Sequence, residues 1–87
     1  MEQYQVNIDT RVRKVFRKLP VKHARQILAA IKRLEVNPRP QDSTKLAGSN
    51  GYRVTVGEYR ILYTIDDSAK AVFIYVIGKR NDDEVYR

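Results

Sequence analysis

Two residues, Gly57 and Glu58, constrain this chain more than any others. They separate two short runs, Tyr52-Arg53-Val54-Thr55-Val56 and Tyr59-Arg60-Ile61-Leu62-Tyr63. A two-residue turn with glycine first is the type II′ pattern that closes an antiparallel hairpin. The turn sets the register: Val56 opposite Tyr59, Val54 opposite Ile61, Tyr52 opposite Tyr63. Those six residues share one apolar and aromatic face. The other face carries Arg53, Thr55, Arg60 and Leu62, with Thr55 facing Arg60 and Arg53 diagonal to it. A slip of one residue would bury the arginines, so the register is firmly specified.

The remaining elements follow from periodicity. Residues 4–8 alternate, with Tyr4, Val6 and Ile8 on one face of a short strand. Asp9 or Thr10 can cap a helix in which Val12, Val15, Phe16 and Leu19 recur at helical spacing. Pro20 stops that helix and suits the first turn of a second. There Val21, Ala24, Ile27, Leu28, Ile31 and Leu34 form one apolar stripe, ended by Asn37-Pro38-Arg39-Pro40. The spacing predicts a helical hairpin with apolar stripes inward and basic residues outward. Residues 41–51 are polar and glycine-containing and read as a loop. Strands are expected over 52–56, 59–65 and 71–77. The last is apolar on both faces and should be central, with Gly78 breaking it. The expected fold class is α+β, in the order β-α-α-β-β-β, an antiparallel sheet packed on one face by the N-terminal helical hairpin.

With 87 residues the chain is expected to form one domain, spanning 1–87. An apolar content of 43% is ordinary for a folded domain and argues against disorder. No cysteine is present, which excludes disulfides, thiolate nucleophiles and thiolate metal ligands. One histidine, His23, leaves no histidine pair for acid–base cleavage of RNA, and no cofactor or metal site is expected. His23 falls off the apolar stripe and reads as a surface residue. Asp82-Asp83-Glu84 reads as a solvated turn or a cap rather than a metal site. The N-terminus has neither the basic start nor the apolar stretch of a secretory leader, and no run reaches the roughly eighteen apolar residues of a membrane span. A cytoplasmic protein without membrane contact is the expectation.

The net charge of +7 is unevenly placed. Between Thr10 and Leu34 there is no acidic residue, while Arg11, Arg13, Lys14, Arg17, Lys18, Lys22, Arg25, Lys32 and Arg33 all lie there. Such a field draws in nucleic acid, an acidic protein partner or an anionic membrane. Two arginines on an open sheet face can be plain solvated residues. Arg80 after the third strand, and Tyr86 beyond it, shift the reading towards a phosphate site. A guanidinium presents a planar fork of donors matched to phosphate oxygens. Three of them around one phosphodiester could stabilise the dianionic phosphorane formed when a ribose 2′-hydroxyl attacks the adjacent phosphorus.

The run Lys45-Leu46-Ala47-Gly48, the hairpin from Tyr52 to Tyr63, then Ile77-Gly78-Lys79-Arg80 and Val85-Tyr86 resemble the RelE/ParE toxin superfamily, in particular its RelE branch. The resemblance covers nearly the whole chain and implies the RelE-like microbial RNase fold. It implies the toxin of a type II toxin–antitoxin pair, a metal-independent endoribonuclease that cuts messenger RNA in the A site of the 70S ribosome. Its implied partners are an acidic antitoxin, in a hetero-oligomer, and messenger and ribosomal RNA. By the same resemblance Arg53 matches a basic active-site residue, Arg60 the arginine that holds the scissile phosphate, Arg80 a second catalytic arginine, and Tyr86 the C-terminal tyrosine that stacks on a base or assists proton transfer. Lys45, Thr55 and Lys79 are the accompanying RNA-binding candidates, and Thr55 stands where some relatives carry lysine. The general base is open between Lys79 and Tyr86, since arginine, with a pKa of about 12.5 or more, is a poor one. The alternative within the superfamily is a ParE-like toxin that inhibits DNA gyrase without cutting RNA.

Overall fold

The computed structural model describes residues 3–79. Seven elements follow one another: β1 (Gln5–Ile8), α1 (Thr10–Arg17), α2 (Val21–Val36), β2 (Ser43–Lys45), β3 (Gly51–Val56), β4 (Tyr59–Asp66) and β5 (Ala71–Lys79). The strands make one sheet in the order β1-β5-β4-β3-β2. The helices cover one face, and the core lies between them and the sheet, centred on Ile27, Leu34, Val54, Ile61, Tyr63, Val72 and Ile74. This is the α+β arrangement expected from the periodicity.

Local chemistry accounts for the helix boundaries. Asp9 caps α1, its carboxylate accepting from the Arg11 amide at 2.8 Å. The last turn of α1 carries Lys14 and Arg17, favourably placed at the negative end of the helix dipole. The Lys18 and Leu19 amides bond back to Val15 and Phe16, tightening the end before Pro20. Pro20 itself is the N-cap of α2.

The apolar arc of α2 is wider than its contact with the sheet. Ile27, Ala30, Ile31 and Leu34 are buried, but Val21 is 67% exposed and Leu28 44% exposed. At 100° per residue these two sets occupy adjoining sectors of the helix, so only one sector can face the core. The expectation that the whole stripe points inward is therefore corrected for Val21 and Leu28, and also for Val15 of α1, which is half-exposed.

Three further departures concern the sheet. β1 lies parallel to β5, with Gln5 opposite Ala71 and Ile8 opposite Ile74, so the sheet is mixed rather than wholly antiparallel. No tight turn joins these strands, and parallel neighbours need only a long connection, which the rest of the chain supplies. Ser43–Lys45, expected as loop, pairs antiparallel with β3. A three-residue polar edge strand leaves no hydrophobic period, and its shortness and charge blunt the sheet edge. Gly78 does not break β5; the strand continues to Lys79, with Gly78 opposite Arg60.

Candidate active site

The hairpin register is the expected one: Val56 opposite Tyr59, Thr55 opposite Arg60, Val54 opposite Ile61, Arg53 opposite Leu62 and Tyr52 opposite Tyr63. Gly57 has φ +59°, the left-handed conformation the first position of a type II′ turn requires. Val54, Val56, Tyr59, Ile61 and Tyr63 are buried towards the helices. Arg53 and Arg60 are half-exposed on the opposite face, with Thr55 exposed between them. Their β-carbons are diagonal neighbours, separated by about 7–8 Å, which lets both side chains reach one anion. No carboxylate among the described residues forms an ion pair with Arg53.

The other candidates fall differently. Lys79 is exposed at the end of β5 opposite Tyr59, one strand from Arg60 but on the helix side of the sheet. Lys45 pairs with Tyr52 on edge strand β2, on the face away from the arginines, and its Nζ donates to the Ser49 carbonyl at 3.0 Å. The structure thus brings Arg53, Thr55 and Arg60 together and sets Lys45 apart. Arg80, Tyr86 and the Asp82-Asp83-Glu84 run lie outside the described residues.

His23 is not the surface residue its spacing suggested. It is half-buried, its ring 5.0 Å from that of Tyr59 at 59°, and its Nδ1 is buried with no hydrogen-bond partner among the described residues. Tyr59 faces the helices, so the sheet separates His23 from the arginines. Among the described residues, no three of His, Asp and Glu gather as metal ligands.

Sequence reasoning missed two features. The first is a β-bulge in β5. Tyr63 faces Ile74 while Leu62 faces Val76, so Tyr75 is the extra residue. The bulge explains how Val72, Ile74 and Ile77, which do not share strict alternation, are all buried in the core. It also turns Tyr75 onto the arginine face. A β-carbon on Gly51 would lie 2.6 Å from the Tyr75 hydroxyl, so the phenol reaches across β4 to β3. The 72, 74, 77 spacing was the available signal.

The second is Arg39, taken only as part of a helix terminator. Its guanidinium pairs with Asp67, and its Nε donates to the Tyr52 hydroxyl at 3.1 Å. Tyr4 donates to the same carboxylate at 2.7 Å. Arg39, first, and Tyr4 hold the Asp67 carboxyl down at about 2, and the same contact raises Arg39. This network ties the α2–β2 connection to the β4–β5 turn and braces Tyr52, the neighbour of Arg53. Nothing in local pattern announces it.

On the helical side, Phe16, Leu19, Val21 and Leu28 line an open groove of about 390 Å³ between α1 and α2, with Arg17 and Arg25 at its margin. No helix of the described residues is long and apolar enough to cross a membrane.

The chain and its fold have known counterparts. The profile of the ParE toxin of type II toxin–antitoxin systems, parDE, matches residues 5–84. RelE1 of Methanocaldococcus jannaschii is 30% identical over 82 residues, covering 90% of this chain and 91% of that protein. The crystal structure of the archaeal RelE–RelB complex from Pyrococcus horikoshii shares 31% identity and a TM-score of 0.83, over 92% of this chain and 98% of the other. The isolated E. coli RelE toxin matches at 29% identity and a TM-score of 0.80, over 95% and 90% of the two chains.

Proposed function

This chain belongs to the RelE/ParE toxin superfamily, on its RelE-like branch, and from that premise we propose that it is a toxin that inhibits translation by cutting messenger RNA in the ribosomal A site. The observation that carries the reading is the shared open face of Arg53 and Arg60 flanking Thr55, in a register fixed by the Gly57-Glu58 turn. A face with this arrangement binds a phosphodiester through paired guanidinium forks.

The reaction is transesterification. The ribose 2′-oxygen attacks the adjacent phosphorus, a P–O2′ bond forms, and the P–O5′ bond breaks. The 2′-hydroxyl proton passes to Tyr86, because Lys79 stands on the helix side of the sheet, away from the arginines, and the departing 5′-oxygen gains a proton from solvent. The products are a 2′,3′-cyclic phosphate and a 5′-hydroxyl. Charge accumulates on the non-bridging oxygens of the phosphorane, where Arg60, aided by Arg53 and Arg80, lowers the barrier. Thr55 adds a hydroxyl donor between the two hairpin arginines. The ribosome contributes alignment of the 2′-oxygen with the leaving group. Lys45 contacts RNA at the sheet edge, outside the arginine cluster.

An acidic antitoxin is the expected partner. The P. horikoshii relative was solved as a complex with RelB. Here the groove between α1 and α2 offers apolar contact through Val21 and Leu28, and Arg17 and Arg25 favour an acidic helix.

The test is primer extension on a translated message after induction of the chain. Stops within codons of the translated region are expected for the wild type and none for Arg60→Ala. The match to the ParE profile favours one second reading, inhibition of DNA gyrase through protein contact. A gyrase supercoiling assay discriminates: inhibition at toxin concentrations that leave messages intact would replace the nuclease reading.

A further inference from the structure

The arginine face of the sheet also carries an aromatic side chain that the cleavage chemistry does not use. Phe73 of β5 lies opposite Thr64 of β4 and Asn7 of β1, and Thr64 lies opposite Gly51 of β3. These four residues form a row across the sheet. The next row is Leu62, Arg53 and Val76, and the one after it Arg60, Thr55 and Gly78. Phe73 is therefore on the same face as Arg53 and Arg60, displaced from the Arg53 row by two residues, about 7 Å along the strand.

Phe73 is 42% exposed, while Leu62 in the adjoining row is buried at 5%. Tyr75, carried onto this face by the bulge, crosses β4 to reach Gly51, at the β3 end of the Phe73 row. Phe73, at the β5 position of that row, stays open to solvent. Its flanking neighbours, Asn7 and Thr64, are short and polar, so they leave the ring accessible and offer hydrogen-bonding groups beside it. An exposed aromatic ring on an open sheet face, flanked by polar side chains and sharing that face with two arginines, has the chemistry of a base-stacking platform for single-stranded RNA. The arginines on the same face favour a polyanion that also offers ring faces. The one carboxylate at the edge of these rows, Asp66, is engaged with the Ala69 amide at 3.1 Å.

We infer that Phe73 stacks on an unpaired nucleobase of the message, within two nucleotides of the phosphodiester held by Arg53 and Arg60. This inference rests on the nuclease reading. It gives Phe73 a part in binding substrate and none in bond breaking. Its effect belongs in KM, and it depends on an aromatic face rather than on apolar volume.

The experiment measures cleavage of a defined message in a reconstituted translation reaction by the full chain and by Phe73→Ala, Phe73→Leu, Phe73→Trp and Arg60→Ala. Thermal melts establish that each variant is folded. KM should rise about tenfold in both Phe73→Ala and Phe73→Leu, matching the loss of one stacked base, with kcat near the wild-type value and recovery in Phe73→Trp. Wild-type KM in folded Phe73→Leu overturns the inference, because leucine keeps the apolar contact and lacks the ring face. Unchanged KM in both variants with weakened antitoxin binding overturns it too and makes Phe73 part of a protein-docking surface. If Arg60→Ala is inactive while Phe73→Leu is normal, the nuclease reading stands and the stacking role falls. Full activity of Arg60→Ala, or no cleavage by the wild type, removes the nuclease reading and the stacking role with it.

Discussion

The guanidinium of Arg39 grips the carboxylate of Asp67 at two points, Nη1 to Oδ1 at 3.1 Å and Nη2 to Oδ2 at 2.9 Å. Both side chains are about half exposed, yet the pair also engages Tyr52 and Tyr4. The contact joins segments far apart in sequence and lies beside the strand that presents Arg53. It gives the fold an acid-sensitive joint.

The sign of that sensitivity follows from Asp67. Its carboxyl is held below the ordinary 3.8 at about 2, chiefly by Arg39 and then by Tyr4. A depressed carboxyl stabilises the fold fully above its unfolded value and loses that contribution as pH falls through its folded value. The wild-type melting temperature should therefore drop between pH 4 and pH 2 more steeply than that of Asp67→Asn. Thermal melts across this range check it, and parallel acid limbs for the two proteins would contradict it.

Tyr63 makes the opposite prediction at high pH. Its hydroxyl donates to the Pro38 carbonyl at 2.8 Å, and burial, the main cause, pushes its pKa from 10 up to about 12. A raised group stabilises below its unfolded value and loses that contribution as pH rises through its folded value. Tyr63→Phe should cost about 1–2 kcal/mol at neutral pH by leaving the carbonyl without its donor. It should also flatten the loss of stability between pH 10 and 12. Denaturant titrations measure both.

Gly57 tests the turn that aligns the arginines. At φ +59° a side chain is strained, and its β-carbon would meet Gln26 Oε1 at 2.8 Å. Gln26 can swing away, so the backbone term dominates. Gly57→Ala should destabilise by roughly 1–2 kcal/mol and lower cleavage through a loosened Arg53–Arg60 spacing. A variant as stable and active as the wild type would show that the register does not depend on this turn.

The groove between the helices yields a binding prediction. Leu28 is 44% exposed, so Leu28→Asp should leave the melting temperature nearly unchanged. It places a negative charge against an acidic partner and removes apolar contact. Antitoxin affinity measured by calorimetry should fall at least about tenfold, equivalent to roughly 1.4 kcal/mol, with the nuclease activity of the free toxin intact.

The hairpin was legible because local chemistry determines it. A glycine-first turn and alternating side chains fix every pairing from Tyr52 to Tyr63. The Asp9 cap and the stop at Pro20 were legible for the same reason. The parts that were not legible depend on distant segments. β1 has no turn to its neighbour β5, so its parallel direction comes from packing. Ser43–Lys45 is too short and polar to show a period, and only β3 makes it a strand. The wide apolar arc of α2 did not reveal which sector faces the sheet, and that choice left Val21 and Leu28 on the groove. His23 was misplaced because its partner, Tyr59, is distant in sequence. Of the site, Arg53, Thr55 and Arg60 followed from the hairpin, whereas Phe73 and Tyr75 required the bulge.

The most direct test of the arginine face is end-group analysis of message fragments from a reconstituted translation reaction. Wild-type toxin should leave 2′,3′-cyclic phosphate ends, and folded Arg60→Ala should form them about 10²–10³-fold more slowly, the loss typical of one transition-state donor. Cyclic ends forming at the wild-type rate in Arg60→Ala would contradict the account.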